Sequence, residues 1–331
     1  MGGGEMHRVW GGLLAANITC LAGSAHAAYD SGVLTLLIEN DAFADTDRNY
    51  TSGLKLAYVA PEKRADPLRN YVQSNLWPGG NDTVMRSSIS IGQSIFTPRD
   101  TSVTFPQPND RPYAGWLYLG YGIIAERPSN VTTADIELGI IGPDAGGEWV
   151  QNDFHDLLGN GHSEGWDNQL EDQFGINLTV ERRWRPAHLP SFLGIEADME
   201  PNVGVTLGNV VTEAFVGGTI RLGTHLERSA LPLRVRPSLA GSGSFDETTG
   251  IGWYVFIGGT ARAVGYNVFL EGDTPYVSNV DPNTFVFDGQ AGIALRLGRF
   301  QVTYTFVERS EEFTQQDGED HFGALGFSWH F

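Results

Sequence analysis

The sequence predicts an all-β protein, a closed antiparallel transmembrane β-barrel of about 12 strands with a short extracellular-loop helix over its rim. Three observations predict it. Segments of about ten residues recur in which alternate positions are apolar, the pattern of strands that face two different environments. No apolar run after residue 28 is long enough for a membrane-crossing helix. The final segment places Leu325, Phe327, Trp329 and Phe331 two apart and stops at the last of them. A closed barrel leaves no backbone N–H or C=O unsatisfied in lipid, which is why strands can replace helices there.

The segments run in order. GVLTLLIEN (32–40), GLKLAYVA (53–60), SSISIGQSIF (87–96), GWLYLGYGII (115–124) and ADIELGIIG (134–142) fill the first half. GINLTVERRW (175–184), FLGIEADMEP (192–201), NVGVTLGNV (202–210), GGTIRLG (217–223) and LRVRPSLAGS (233–242) follow. WYVFIGGTARAV (253–264), DGQAGIALRLG (288–298), FQVTYTFVER (300–309) and FGALGFSWHF (322–331) complete the series. Regions 61–85 and 97–112 read as loops, and 143–171 is the one clear break in the β pattern. The alternating aromatics and terminal phenylalanine of the last segment resemble the insertion signal of bacterial outer-membrane barrels, which implies the barrel-assembly machinery as a partner.

The N-terminus reads as a secretory leader. Arg8 precedes a weakly apolar stretch, and Ala25–Ala27 (AHA) fits a small-x-small cleavage site. Residues 1–27 are therefore expected to be a signal peptide and 28–331 the barrel. The single cysteine, Cys20, lies in the leader, so the barrel uses no disulfide. The net charge is -19 with Lys+Arg 21, and the only lysines are Lys55 and Lys63. This excludes nucleic acid as a partner, because a phosphate backbone needs clustered positive charge. An acidic chain handling an anionic substrate calls for a bridging cation.

Within the break, GPDAGGEWVQNDFHDLLGN (142–160) reads as an amphipathic helix from about Gly146 to Leu158. Val150, Phe154, Leu157 and Leu158 form its apolar stripe, with Glu148, Gln151, Asn152 and His155 on the other side. Gln151 and His155 are one turn apart and lie one above the other. Asp144 is placed to cap the N-terminus, and Gly159-Asn160 to stop the helix. A second polar cluster follows the first strand: Glu39, Asn40, Asp41, Asp45 and Asp47. Oxygen ligands in a turn suit a hard cation such as calcium, although the spacing is not that of an EF-hand loop.

Four blocks taken together, ENDAFADTDRNYTSGLKL, DRPYAGWLYLG (110–120), GPDAGGEWVQNDFHDLLGN and GWDNQLEDQFGINL (165–178), resemble the outer-membrane lipid A 3′-O-deacylase family. The resemblance spans about Leu34 to Trp184 in unbroken order. It implies a twelve-stranded barrel with its active site near the outer rim, between the barrel wall and the loop helix. It implies a catalytic histidine at His155, a calcium site at Asn40 and Asp41, and a functional hydroxyl at Thr51. The implied substrate is lipid A of lipopolysaccharide, and the implied location is the bacterial outer membrane. In one place the chain departs from the family pattern. No lysine stands between Arg86 and Tyr113, where Arg99 and Arg111 are the only cations of the loop; arginine suits phosphate contact through its fork but does not replace a proton-donating lysine.

The chemistry implied is ester hydrolysis. His155 takes a proton from a water attacking the acyl carbonyl, calcium on Asp41 and Asn40 polarises that carbonyl, and Thr51 donates to the oxyanion or places the water. Gln151 orients the histidine or contacts substrate. Thr51 as the nucleophile with His155 as its base is equally compatible with the residues. No Gly-x-Ser-x-Gly elbow is present. An outer-membrane phospholipase or esterase on glycerophospholipids, and a non-catalytic barrel, are the competing readings.

Overall fold

The computed structural model describes residues 31–41, 49–76, 83–158, 162–184, 187–192, 194–226 and 250–331, with side chains described for all of these except 49, 154–158 and 187–192. Among them thirteen strands form a single sheet. β1 (Val33–Asn40), β2 (Asn49–Val59), β3 (Val84–Thr97), β4 (Ala114–Glu126), β5 (Asn130–Ile141) and β6 (Gln173–Trp184) pair as sequential antiparallel neighbours. β7 (Ala187–Phe192), β8 (Ile195–Gly208), β9 (Val211–Gly223) and β10 (Ile251–Asn267) continue the chain, followed by β11 (Phe285–Leu297), β12 (Phe300–Arg309) and β13 (Asp320–His330). Antiparallel pairing of β1 with β13 and of β6 with β8 closes the ring.

β6 and β7 are two halves of one wall strand. Asn177–Arg183 pairs with the upper part of β8 and Ala187–Phe192 with its lower part, so the barrel is a closed twelve-stranded antiparallel one. The segments 192–201 and 202–210, expected as two strands, are the single strand β8. Pro201 does not break it, because this residue without an N–H falls at the interruption between β6 and β7. The expected leader at 1–27 and the segment 233–242 lie outside the described residues.

The alternation has an inside-out meaning. Leu54, Leu56, Ile89, Ile91 and Leu119 are exposed on the outer wall, while their strand neighbours point inward. The lumen is filled by buried ion pairs: Lys55–Glu137 at 3.3 Å, Arg86–Glu126 at 2.6 Å and Arg221–Asp198 at 2.7 Å. An apolar outer band around a polar filled interior is what lipid outside and close-packed side chains inside select. Among the described residues no helix is long and apolar enough to cross a membrane.

Strand direction places the first and last described residues, Ser31 and Phe331, at one end, here the terminal end. The loops 98–113, 142–172, 268–284 and 310–319 lie at the other, here the outer rim. Region 61–85, expected as a loop, holds the helix α1 (Pro67–Asn75) at the terminal end. The cause was in the sequence: Asp66 caps the helix by accepting from the Arg69 N–H, and Pro67 sits at the first turn, where its missing N–H costs nothing.

Candidate functional site

The site is built on the outside of the wall. Antiparallel pairing sets Asn40 opposite Ser52, Ser52 opposite Ile95 and Ile95 opposite Gly115, one row across four strands near the rim. Ile95 follows Ile89, Ile91 and Gln93 on β3 at period two, so the row continues the lipid-facing surface. Ile95 is nevertheless buried, because Trp166 and Val150 of loop 142–172 pack on it, and Thr97 is buried as well.

That loop contains the helix α2 (Gly147–Leu158), close to the extent expected. A 3-10 turn at Pro143–Ala145 and Gly146 at φ 67 lead into it. Asp144 therefore lies in the preceding turn rather than at the helix cap, and its backbone N–H is taken by the Asp172 carboxylate at 2.9 Å. The first turn of α2 seats directly on the wall. A Cβ on Gly115 would lie 3.1 Å from the Ala145 Cβ and 3.2 Å from the Gly147 nitrogen, so only glycine lets the two backbones approach this closely. Gln93 Nε2 donates to the Ala145 carbonyl at 2.7 Å and ties β3 to the same turn. Ile95, Tyr113 and Trp166 pack beneath, with Val150 of α2 against them.

Gln151, expected on the helix's polar outer side, is 3% exposed and faces inward toward the wall. The indole N–H of Trp166 donates to Gln151 Oε1 at 3.1 Å. An indole can only donate, so the amide orientation is fixed. Gln151 Nε2 is left as a buried donor without a hydrogen-bond partner among the described residues. His155 lies one helical turn further along α2, and its side chain is outside the described residues.

The other expected residues gather at the rim ends of β1 and β2. Asn40, Asp41 and Thr51 are all buried. Thr51 sits at a β-bulge, where the register with β3 shifts between Tyr50 and Ser52. Asn40 Nδ2 donates to the Thr51 carbonyl at 3.1 Å, which turns the Asn40 amide oxygen the opposite way. The Thr51 and Thr97 hydroxyls are 2.7 Å apart. Thr97 and Trp166 were not among the residues expected to form the site. The period-two run on β3 could have found Thr97; nothing local marks Trp166 as the partner of Gln151.

A carboxylate and an amide oxygen in adjacent positions are the donor chemistry a hard cation takes. Asp41 is 2% exposed. Asn40 and Asp41 thus fit a calcium ion. Elsewhere among the described residues, Glu308, Glu319 and His321 bring ligand atoms within 4.8 Å of one another, on the exposed rim of β12 and β13.

The two loop arginines part company. Arg99 is exposed and paired with Asp317 at the rim surface. Arg111, expected beside it as a phosphate contact, is 1% exposed and bonded to Glu312 Oε2 at 2.7 Å. Loop 98–113 folds this side chain inward, over the Phe96 ring, so its fork is spent on a carboxylate in the lumen. Burial alone would raise the Glu312 carboxyl pKa. Arg309, Arg111 and Arg262 around it override that and hold it far below the usual carboxylate range. The lumen beneath is a cavity of about 100 Å³ lined partly by Glu39, Glu137, Arg262 and Arg309, too small and too ion-paired for an acyl chain.

A closed twelve-stranded barrel with an apolar outer band around a polar, ion-paired interior is the build of an outer-membrane protein, and its polar cluster at the outer rim is buried. The model of the family described as outer membrane protein LpxR matches residues 13–331, and the chain belongs to that family. Among solved structures it is similar to LpxR from Salmonella typhimurium, with a TM-score of 0.73 and 22% identity, covering 90% of this chain and 100% of that one. A weaker likeness, at a TM-score of 0.42 and 12% identity, is to the β domain of the Bordetella autotransporter BrkA, covering 90% of this chain and 97% of that one. No curated protein matches by sequence.

Proposed function

We propose that this protein is a calcium-dependent ester hydrolase that removes the 3′-linked acyloxyacyl chain from lipid A in the outer membrane. The observation that carries the reading is where the polar cluster lies. Asn40, Asp41, Thr51 and Thr97 are buried at the rim ends of β1 to β3, and Gln151 is buried where α2 seats on β3 and β4, above Leu54, Leu56, Ile89 and Ile91 on the same wall. A lipid lying along that wall would bring its ester bonds to the cluster and leave its acyl chains in the membrane. Family membership supports the same reading.

His155 acts as general base: it takes a proton from water as the water oxygen bonds to the acyl carbonyl carbon. The ester C–O bond then breaks, and the proton passes from His155 to the departing sugar oxygen. Thr51 donates a hydrogen bond to the carbonyl oxygen as it becomes an oxyanion. Gln151, fixed by Trp166, presents its Nε2 to the same cleft and positions His155 or the substrate. Asp41 and Asn40 hold calcium, which when bound supplies a Lewis acid for the carbonyl. Arg99 at the rim contacts a substrate phosphate. The ion-paired lumen argues against a pore. Mass spectrometry of lipid A from cells producing the intact chain tests the reading.

A further inference from the structure

The end of the barrel opposite α2 carries a ring of aromatic side chains on its outer wall. Phe331 stacks on Tyr58 with ring centroids 5.9 Å apart, meets Trp329 at 4.9 Å, and Trp329 stacks on Phe300 at 6.0 Å. Such aromatic belts settle at the headgroup level of a bilayer, so this ring marks the membrane boundary at the terminal end.

α1 lies at the level of that ring and outside the wall. Its cap, Asp66, accepts hydrogen bonds from the Tyr121 phenol at 3.1 and 3.2 Å. Tyr121 is two residues from the exposed Leu119 on β4, hence on the lipid-facing side. The Arg64 guanidinium lies 5.5 Å from the Tyr58 ring centroid. Arg69 is buried and clamps the approach to the helix, donating to the Glu62 carbonyl at 2.7 Å and the Arg64 carbonyl at 2.9 Å. The helix is thus pinned against the barrel at headgroup depth.

Its apolar residues are not turned toward the barrel. Leu68, Tyr71 and Leu76 are each more than half exposed, and with half-buried Val72 they form one stripe at helical spacing. The stripe continues the apolar outer band sideways rather than facing the core. The charge beside it is also out of character. In a chain of net charge -19, segment 61–69 sets Lys63, Arg64 and Arg69 against Glu62 and Asp66, a net positive stretch that includes one of the only two lysines. Lys63 and Arg64 are exposed.

We propose that α1 is an interfacial helix lying in the periplasmic leaflet, with Leu68, Tyr71 and Leu76 immersed at the boundary of the acyl chains and Lys63 and Arg64 gathering anionic glycerophospholipid headgroups. An amphipathic helix with a basic edge binds a membrane surface by these two terms together. The barrel thereby grips the two leaflets by different chemistry, with α2 at the outer rim and α1 at the inner one.

The test labels Tyr71→Cys with an environment-sensitive fluorophore in a Cys20→Ser background. The full chain is folded into phosphatidylcholine vesicles with or without phosphatidylglycerol, folding being checked by heat-modifiable gel mobility. A headgroup nitroxide is expected to quench this label at least about twofold more strongly than aqueous iodide, with the reverse order for a label at Gln73→Cys on the exposed opposite side. Nitroxide carried on phosphatidylglycerol is expected to quench roughly twofold more than on phosphatidylcholine, and Lys63→Gln with Arg64→Gln is expected to remove the excess. Equal access of iodide to both labels would overturn the proposal, as would a Tyr71 label shielded from both quenchers, the sign of a protein partner. Equal quenching from the two lipids would overturn the anionic-lipid part. If Tyr71→Cys does not fold, Leu68→Cys reads the same stripe.

Discussion

The hydroxyls of Thr51 and Thr97 lie 2.7 Å apart on adjacent strands of the wall, both buried at the outer rim. With Thr97 donating, the Thr51 hydrogen is left for an acyl oxygen; with Thr97 accepting, it is not. Thr51→Val is expected to lower kcat by about 10²-fold, the scale of losing one oxyanion donor, with Thr97→Val less severe. Kinetics on detergent-solubilised lipid A checks this. A Thr51→Val enzyme as inactive as His155→Ala would instead identify Thr51 as the nucleophile.

The seat of α2 gives a second prediction. Any side chain on Gly115 would push against the Ala145 Cβ and the Gly147 backbone, lifting the helix that carries Gln151 and His155. Gly115→Leu is expected to cost on the order of 10²-fold in activity while the barrel still shows heat-modifiable mobility, since displacements of about 1 Å at a catalytic group cost that much. Full activity in a folded Gly115→Leu barrel would detach α2 from catalysis.

Trp166→Phe keeps the ring packing against Tyr113 but deletes the N–H that holds Gln151 Oε1. One lost orienting hydrogen bond predicts a fall of about tenfold in kcat with little change in KM. A rise in KM alone would assign Gln151 to ground-state binding of the lipid.

The barrel's topology was legible in the sequence because each wall strand separates lipid from a polar lumen, and that contrast writes itself as period two. The final strand and the interruption at 143–171 stood out for the same reason. α1 was not read, although its Asp66-Pro67 start is a local helix signal; it was masked by the polar loop composition around it. Within the site, His155, Gln151, Asn40, Asp41 and Thr51 came mostly from ordered sequence blocks. Their chemistry depends on which face of the wall they occupy, which the bulge at Thr51 and the burial of Gln151 decide. Arg99 and Arg111 look alike in sequence and separate only when loop 98–113 folds one outward and one into the lumen.

Glu312 gives a pH prediction. Its folded-state pKa is depressed, so its contribution to stability is fully present above the unfolded carboxyl value and is lost as pH falls toward the lowered folded value. Glu312→Gln leaves three arginines facing a neutral group and is expected to cost on the order of 3 kcal/mol near neutral pH. The gap in urea midpoint between wild type and Glu312→Gln should stay constant above about pH 5 and narrow below it. A gap that widened on acidification would contradict the ion-cluster account.

The measurement closest to the central claim is mass spectrometry of lipid A from cells producing the intact chain, His155→Ala or Asp41→Asn, with calcium present and then chelated. Loss of one acyloxyacyl unit is expected only for the intact chain with calcium. For His155→Ala the loss of activity should reach 10² to 10⁴-fold, the usual contribution of a positioned general base. Folded barrels that leave lipid A unchanged in every sample, or a His155→Ala barrel that still deacylates, would contradict a histidine-dependent site acting on lipid A.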